Sequence, residues 1–257
     1  MACYIQSYLR HTVIMKKLSH LLTAVLLTGY ASAGLTATIP SFQSSYKVNA
    51  FGTNLGIAKN SFSCKGENCT LVSSAKPSGF AALFFKDSSI ETIKLKQSND
   101  SIQWLSYHKL GISEKDGKQT KKHTTIALDE ANKQIHATEK KRSWAAQSQL
   151  FDVMSIPYAL QYYKLNKQPI SKLNLYIQDN NFQEKLKITA VDQSDTIEFG
   201  FAEDDVKALK YTLDSNNYQI DLWLLPKTRF FPGKIRVINK HEDKTITLIL
   251  AEPPKLL

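Results

Sequence analysis

Two cysteines in a turn-rich segment are the residues of this chain best suited to chemistry. Cys64 and Cys69 enclose four turn-forming residues, 65–68, and residues 61–63 and 70–72 flank them as short strand-like segments. Two sulfurs that face each other across the mouth of a hairpin can form a disulfide, whereas a metal pair or a redox site is the alternative. The spacing is not Cys-x-x-Cys and no histidine lies nearby, so the pattern favours a structural disulfide.

The remaining residues give little indication of catalysis. After residue 33 the histidines are His108, His123, His136 and His241, and no two of them have metal-ligand spacing. A Gly-x-Ser-x-Gly elbow is absent from the sequence. The acidic group at 203–205 suggests a calcium or acid/base site, but it lacks spaced oxygen ligands and is interpreted as a solvated turn. We therefore expect no catalytic residues, no metal and no cofactor.

Basic residues form two clusters that could contact anions. One predicted loop holds Lys118, Lys121, Lys122 and His123, and another holds Lys140, Lys141 and Arg142, followed by Trp144. Both flank a predicted hairpin around Asp129, so the loops could meet as a positive patch for phosphate-bearing lipid or glycan. The alternative is two solvated charged loops. Anion contacts are predicted for Lys121, Lys122, Lys140, Lys141 and Arg142.

The amino-terminal region predicts export. Residues 15–33 combine a short basic start after Met15, an apolar centre and an Ala31-x-Ala33 cleavage site, as in a secretory signal peptide. We expect Met15 to be the true start and residues 1–14 to be an upstream extension; a genuine longer amino terminus is the alternative. The apolar run at 21–27 is too short to span a bilayer, so cleavage after Ala33 predicts a periplasmic product without a transmembrane anchor.

The cleaved product is expected to remain basic. Loss of Arg10, Lys16 and Lys17 lowers the formal charge from +10 to +7. Such a charge favours contact with lipid, lipopolysaccharide or other polyanions. Because exported proteins rarely meet nucleic acid, we expect no nucleic-acid partner.

Short alternating segments dominate the rest of the chain and predict a β-rich fold. Tyr46 and Val48 alternate with Lys47 and Asn49, and the residues from 102 to 107 alternate so that Ile102, Trp104 and Ser106 share a face. Turns are predicted at 129–132, 178–181, 214–217 and 241–244. Residues 34–257 are therefore expected to form a single domain. Its predicted fold is mainly β: a large curved antiparallel sheet or partly closed β-barrel, covered by one short α-helix.

One segment, 149–165, has the spacing of apolar residues that predicts an α-helix. Its apolar residues recur at intervals of three and four, and the helix is expected to begin after Ser155, so that Pro157 lies in the first turn. Asp152 and Ser155 are both plausible N-caps. The stripe of Met154, Tyr158 and Tyr162 is either the core face of this helix or a ligand-stacking surface.

The carboxy-terminal third predicts a strand, a loop, and two further strands. Ile220, Leu222 and Leu224 share one face of the first strand, Trp223 lies on the other, and Phe231 lies in the loop that follows. A concave sheet face would suit an apolar ligand. Ligand contacts are predicted for Trp104, Tyr158, Tyr162, Trp223 and Phe231.

This order of elements resembles a bacterial envelope family known as domain of unknown function 3108. The resemblance rests on residues 152–160, 220–224 and 231–235 and on the last strand to Leu250. It implies a secreted, β-rich protein and supplies no functional residues. By fold analogy alone, sheet-plus-helix carriers of envelope lipoproteins hold acyl chains in a concave sheet.

Three functions follow from these patterns. The first is an exported, non-catalytic cell-envelope protein that binds or carries an apolar or amphiphilic envelope component. The second is a structural or interaction protein that contacts another envelope protein, anionic lipid or glycan through a sheet edge or the basic loops. The third is a hydrolase with a dispersed site.

Overall fold

A computed structural model describes residues 37–78, 87–115 and 118–257 of the chain. The predicted signal peptide and the residues before it lie outside these ranges. Within them the chain forms strands β1 to β17 and one α-helix, α1 (Ile156–Leu165). The strands are β1 (Phe42–Ala50), β2 (Thr53–Lys65), β3 (Asn68–Pro77), β4 (Ser88–Gln97), β5 (Ile102–Lys115), β6 (Lys118–Asp129), β7 (Gln134–Ala137), β8 (Arg142–Ala145), β9 (Leu150–Phe151), β10 (Tyr176–Gln178), β11 (Gln183–Lys185), β12 (Lys187–Ile197), β13 (Val206–Asp214), β14 (Tyr218–Leu225), β15 (Phe231–Asn239), β16 (Lys244–Leu250) and β17 (Lys255–Leu256).

One 14-stranded antiparallel sheet contains most of these strands. Its order is β12-β13-β14-β15-β16-β1-β2-β3-β4-β5-β6-β7-β8, with β17 added beside β1. Strands β12 and β8 are the two edges, and in the described part of the chain no pairing joins them. The expected mainly β fold, a large curved sheet with one short helix, is therefore confirmed. A second sheet, β11-β10-β9, has three strands.

The large sheet curves around α1, because strands far apart in the sheet order contact the same helical segment. Phe231 of β15 and Phe42 of β1 both pack against the Tyr158 ring. From β2, Asn60 Nδ2 donates a hydrogen bond of 3.0 Å to the Tyr158 hydroxyl. On the far side, Trp104 of β5 donates to Asp152, just before the helix. The face that surrounds α1 is the concave face of the sheet.

The helix begins and ends where the sequence pattern places it. It runs from Ile156 to Leu165 with Pro157 in its first turn, where the missing N–H is harmless. Ser155 is the N-cap, but its side chain makes no cap hydrogen bond. Its hydroxyl donates instead to the Asp152 carboxylate at 2.8 Å.

Cys64 and Cys69 form the expected disulfide between β2 and β3. The two residues are directly opposite each other in the ladder, and pairing continues to Lys65 and Asn68. The turn is therefore shorter than the sequence suggests. Gly66 makes this possible because its φ of +61° is a conformation that residues with a Cβ rarely adopt.

A β-bulge in β5 changes which side chains face inward. Lys94 of β4 pairs with Ser106, but Leu95 pairs with Trp104, so Leu105 is an extra residue. Beyond the bulge Tyr107 pairs with Ile93 and lies on the concave face. The expectation that Ser106 shares a face with Trp104 is therefore wrong, because strict alternation does not survive an inserted residue.

Candidate functional site: the open part of the concave face

Aromatic side chains fill the part of the concave face that α1 covers. Tyr158, Tyr162 and Phe231 are completely buried. The Phe42 ring lies 5.1 Å from that of Tyr158 and 4.9 Å from that of Phe231. The Tyr162 hydroxyl donates to the carbonyl oxygens of Ser98 and Asn99, each at 3.1 Å. Tyr158 and Tyr162 are core side chains, as one of the two interpretations of the helical stripe expects, and Phe231 belongs to the same core.

Trp104, another predicted ligand contact, anchors a buried carboxylate. Its Nε1 donates to Asp152 Oδ2 at 2.7 Å, and the backbone N–H groups of Met154 and Ser155 donate to Oδ1. Burial still raises the pKa of Asp152 above its usual value, although these hydrogen bonds oppose the shift. The arrangement fixes the chain where it enters α1.

Trp223 lies on the convex face, not with the other aromatic residues. It is only 5% exposed because basic side chains cover it. The Nζ atoms of Lys210 and Lys234 lie 5.2 Å and 4.6 Å from its ring centroid, and Arg236 Cζ lies at 5.9 Å. Its Nε1 donates to Asp195 Oδ2 at 2.7 Å. The prediction that Trp223 and Phe231 line one concave surface is wrong. Side chains along a strand alternate between its two faces, so Trp223 lies on the other face from Leu222 and Leu224.

The helix leaves another part of the concave face open, and this part is the candidate site. A cavity of about 420 Å³ lies between β4, β5 and β6 on one side and the ends of β14, β15 and β16 on the other. Residues 152–154 also contribute to its wall. A second cavity of about 540 Å³ lies against β1 to β6 and shares Lys109, Gly111 and Lys122 with the first. We refer to the first as the main cavity.

The wall of the main cavity combines apolar and charged side chains. Its apolar members are Ile126, Val153, Met154, Val237 and Ile246. Its cations are Lys109, Lys122 and Lys244, and its anions are Glu91, Asp152, Asp179 and Glu242. Two ion pairs occur within this set, Glu91 with Lys109 at 3.0 Å and Glu242 with Lys244 at 2.9 Å. Lys122 makes no ion pair with any described residue.

Two tyrosines of the main cavity lie close to carboxylates. Burial, followed by the charge of Glu91, raises the pKa of the Tyr107 hydroxyl far above its usual range. Burial and the nearby Asp179 do the same for Tyr218, whose hydroxyl lies 3.5 Å from Asp179 Oδ2. Burial also raises the pKa of Asp179. Both tyrosines are therefore neutral hydrogen-bonding groups at physiological pH.

The predicted basic loops are arranged differently from expectation. Residues 118–129 form strand β6, so the prediction that Lys121 and Lys122 lie in a loop is wrong. Polar composition suggested a loop, but β6 pairs with β5 from Lys118 to Ala127. Lys121 and Lys122 point to opposite faces, and only Lys122 reaches the main cavity.

The second basic cluster lies at the turn between β7 and β8. Lys140 and Lys141 are exposed there, and Arg142 Nη1 donates to the carbonyl oxygen of Asn181. The turn is held beside β6, because Glu139 accepts a hydrogen bond of 2.7 Å from the N–H of Thr125. The second cluster therefore adjoins β6, the strand that carries the first cluster. Anion contact by these residues stays a prediction.

Sequence reasoning missed most of the main cavity. Lys109, Tyr107 and Gly111 belong to it only because of the bulge at Leu105, and Asp179 and Tyr218 join it through the curvature of the sheet. No short motif signals either effect. Among residues that the structure describes, no group of three His, Cys, Asp or Glu side chains is placed to hold a metal ion.

Comparison with known proteins supports the fold. No family model matches the chain, and no curated protein matches it in sequence. Among solved structures, it is similar to a beta-barrel-like protein of domain of unknown function DUF1849 from Brucella abortus, with a TM-score of 0.51 and 9% identity. The match covers 86% of this chain and 99% of that chain. At this identity the likeness concerns the fold alone, and the resemblance to domain of unknown function 3108 stays a prediction.

The architecture is thus that of a β-barrel-like protein with an open interior. Helices of the described residues include none that is both long and apolar enough to cross a membrane.

Proposed function

We propose that this chain is an exported, non-catalytic binding or carrier module of the cell envelope, and that it holds an amphiphilic molecule in the main cavity. One observation carries the proposal: α1 fills only part of the concave face and leaves a cavity of about 420 Å³ beside it. Ligand pockets commonly measure roughly 300–1,000 Å³ and combine apolar walls with a few polar groups.

The distribution of charge favours an amphiphile with an anionic group. Lys109 and Lys244 already have carboxylate partners, whereas Lys122 has none among the described residues. A phosphate or carboxylate of the ligand would supply that partner. Ile126, Val153 and Met154 would contact its apolar portion, because they belong to the same wall.

Export and residence in the periplasm form part of the proposal. The disulfide between Cys64 and Cys69 is compatible with an oxidising compartment, where such bonds persist. The mature charge of +7 expected after cleavage suits an environment of anionic lipids.

Native mass spectrometry of protein purified from the periplasm of its own cell tests the proposal. We expect a co-purifying species of lipid-like mass that organic extraction removes. Protein that carries no adduct, and binds none when mixed with extracted envelope lipids, would refute the carrier function.

Gly111→Leu provides a variant that narrows the main cavity. A Cβ at residue 111 would have Lys122 O, at 3.7 Å, as its nearest neighbour, so a side chain can be added without a backbone clash. We expect Gly111→Leu to lose the bound species. The matched control is Ser106→Leu, which adds the same side chain to the convex face of the same strand and should retain the ligand. Equal occupancy in the two variants would place the ligand elsewhere.

A further inference from the structure

A row of alternating basic and apolar side chains crosses the convex face of the sheet. Following the cross-strand pairs from β13 to β3, the row reads Lys210, Trp223, Lys234, Ile249, Lys47, Ile57 and Lys76. It spans seven adjacent strands and no acidic residue interrupts it. At about 4.8 Å per strand, the row is roughly 29 Å long, and its lysines recur about every 10 Å. We call it the convex lysine row.

The lysines of this row are available to a partner. Lys47 and Lys76 are exposed, and Lys210 and Lys234 are partly exposed over the Trp223 ring. None of the four forms an ion pair with another described residue. Their aliphatic stems can cover the intervening apolar side chains while their ammonium groups stay in solvent.

The surroundings of the row leave it positive. Lys59 and Arg236 lie on the same face, in neighbouring rows. The acidic groups nearby are Asp195 and Asp221, together with Glu252, which accepts a hydrogen bond from Ser45. Outside the loop between β12 and β13, six basic groups thus face three acidic ones; Asp221 is paired with Arg236, and Asp195 interacts with Lys210 and Lys234.

The loop between β12 and β13 adds an exposed aromatic ring beside the row. A Cβ on Gly200 would lie 3.4 Å from Lys47 Nζ, so this loop reaches the middle of the row. Phe201 is 39% exposed and stacks on Phe199 at 4.9 Å. The same loop carries four exposed acidic residues, Glu198, Glu203, Asp204 and Asp205, and Asp205 accepts a hydrogen bond from Thr196 Oγ1. An exposed ring among cations is a combination found on membrane-surface segments.

We propose that the convex lysine row docks this protein onto an anionic membrane surface. Phosphate headgroups would pair with the lysines, and Phe201 would enter the headgroup layer. Because the face is convex, a flat membrane contacts the middle of the row, around Lys47 and Lys234. The outer lysines still act there, since the Debye length at physiological salt is about 8 Å. This surface lies opposite the main cavity, so docking does not depend on the proposed carrier function.

Vesicle sedimentation tests the proposal, with neutral phosphatidylcholine vesicles compared with vesicles that contain phosphatidylglycerol. We expect binding to the anionic vesicles alone, weakening as salt rises. The double variant Lys47→Gln and Lys234→Gln should bind about 30-fold more weakly, at roughly fivefold per lysine near the surface. Replacing both lysines by arginine should preserve binding, because the charge is retained.

The matched control is Lys65→Gln with Lys133→Gln, which removes the same charge from two exposed positions, one at the turn between β2 and β3 and one at the turn between β6 and β7. Its affinity should fall less than about threefold, because those lysines lie away from the row. Any contribution of residues 1–36 to membrane binding is common to all variants. Equal losses in the two glutamine pairs would show dependence on net charge and overturn the proposal. Absence of binding to anionic vesicles, or binding to heparin or DNA alone, would also overturn it.

Discussion

Replacing Trp104 by Phe should destabilise the protein in a way that depends on pH. The indole Nε1 donates to the buried Asp152 carboxylate at 2.7 Å, and phenylalanine has no donor to replace it. A hydrogen bond to a charged group contributes about 1.5–3 kcal/mol. The smaller ring adds a packing cost, so we expect the free energy of unfolding at pH 7 to fall by about 3 kcal/mol.

The pH dependence follows from the ionisation of Asp152. Burial raises its pKa in the folded state, so its contribution to stability is fully present below the unfolded pKa and is lost as pH rises through the folded pKa. Removing the Trp104 donor raises that pKa further, since the charged form loses a partner. The destabilisation by Trp104→Phe should therefore be larger at pH 7 than at pH 4.

Trp223→Phe is the matched control. Trp223 Nε1 also donates to an aspartate oxygen at 2.7 Å, but Asp195 is exposed and can bind water instead. Urea unfolding followed by far-ultraviolet circular dichroism, at both pH values, measures the two variants. We expect a difference of about 2 kcal/mol between them at pH 7. Equal destabilisation of both, or a cost for Trp104→Phe that does not change with pH, would refute the role assigned to the buried carboxylate.

Two further predictions concern the β2–β3 hairpin and its packing. Replacing Cys64 and Cys69 together by serine should lower the free energy of unfolding by about 2 kcal/mol. Reductant should lower the stability of the wild type to the same value. Equal stability of the wild type and the serine variant under oxidising conditions would contradict this prediction. Gly56→Ala should cost about 1–3 kcal/mol by overpacking, because its Cβ would lie 2.2 Å from the backbone oxygen of Lys76. Gly111→Ala, with no close neighbour at that point, serves as its control in the same denaturation series, and equal stability of the two alanine variants would argue against the clash.

Local sequence patterns were sufficient to predict the structure wherever a single turn or the spacing of apolar residues along one helix determined it. The Cys64–Cys69 hairpin and the start of α1 after Ser155 depend on neighbours in the sequence, and both were predictable. Strand β6 was not, because a strand with few apolar residues has the composition of a loop. Its identity depends on pairing with β5.

The candidate site was harder to predict than the fold. Large aromatic residues such as Tyr158 and Phe231 suggested ligand contact, but their size also makes them the residues that fill a core. The open cavity instead uses Tyr107, Lys109 and Tyr218, whose convergence depends on the curvature of the whole sheet. Such convergence of distant strands has no signature at any single position.

The bulge at Leu105 determines which side chains of β5 face the interior, because the extra residue places Tyr107 and Lys109 on the concave face. Loss of Leu105 would give a regular strand with the same two side chains inward. One further residue inserted after Ser106 would instead turn His108 and Leu110 inward. The interior would then exchange a phenol and an ammonium for an imidazole and an aliphatic chain without a single substitution. A one-codon insertion in this strand can therefore replace the chemistry of the interior while the surrounding sheet keeps its architecture.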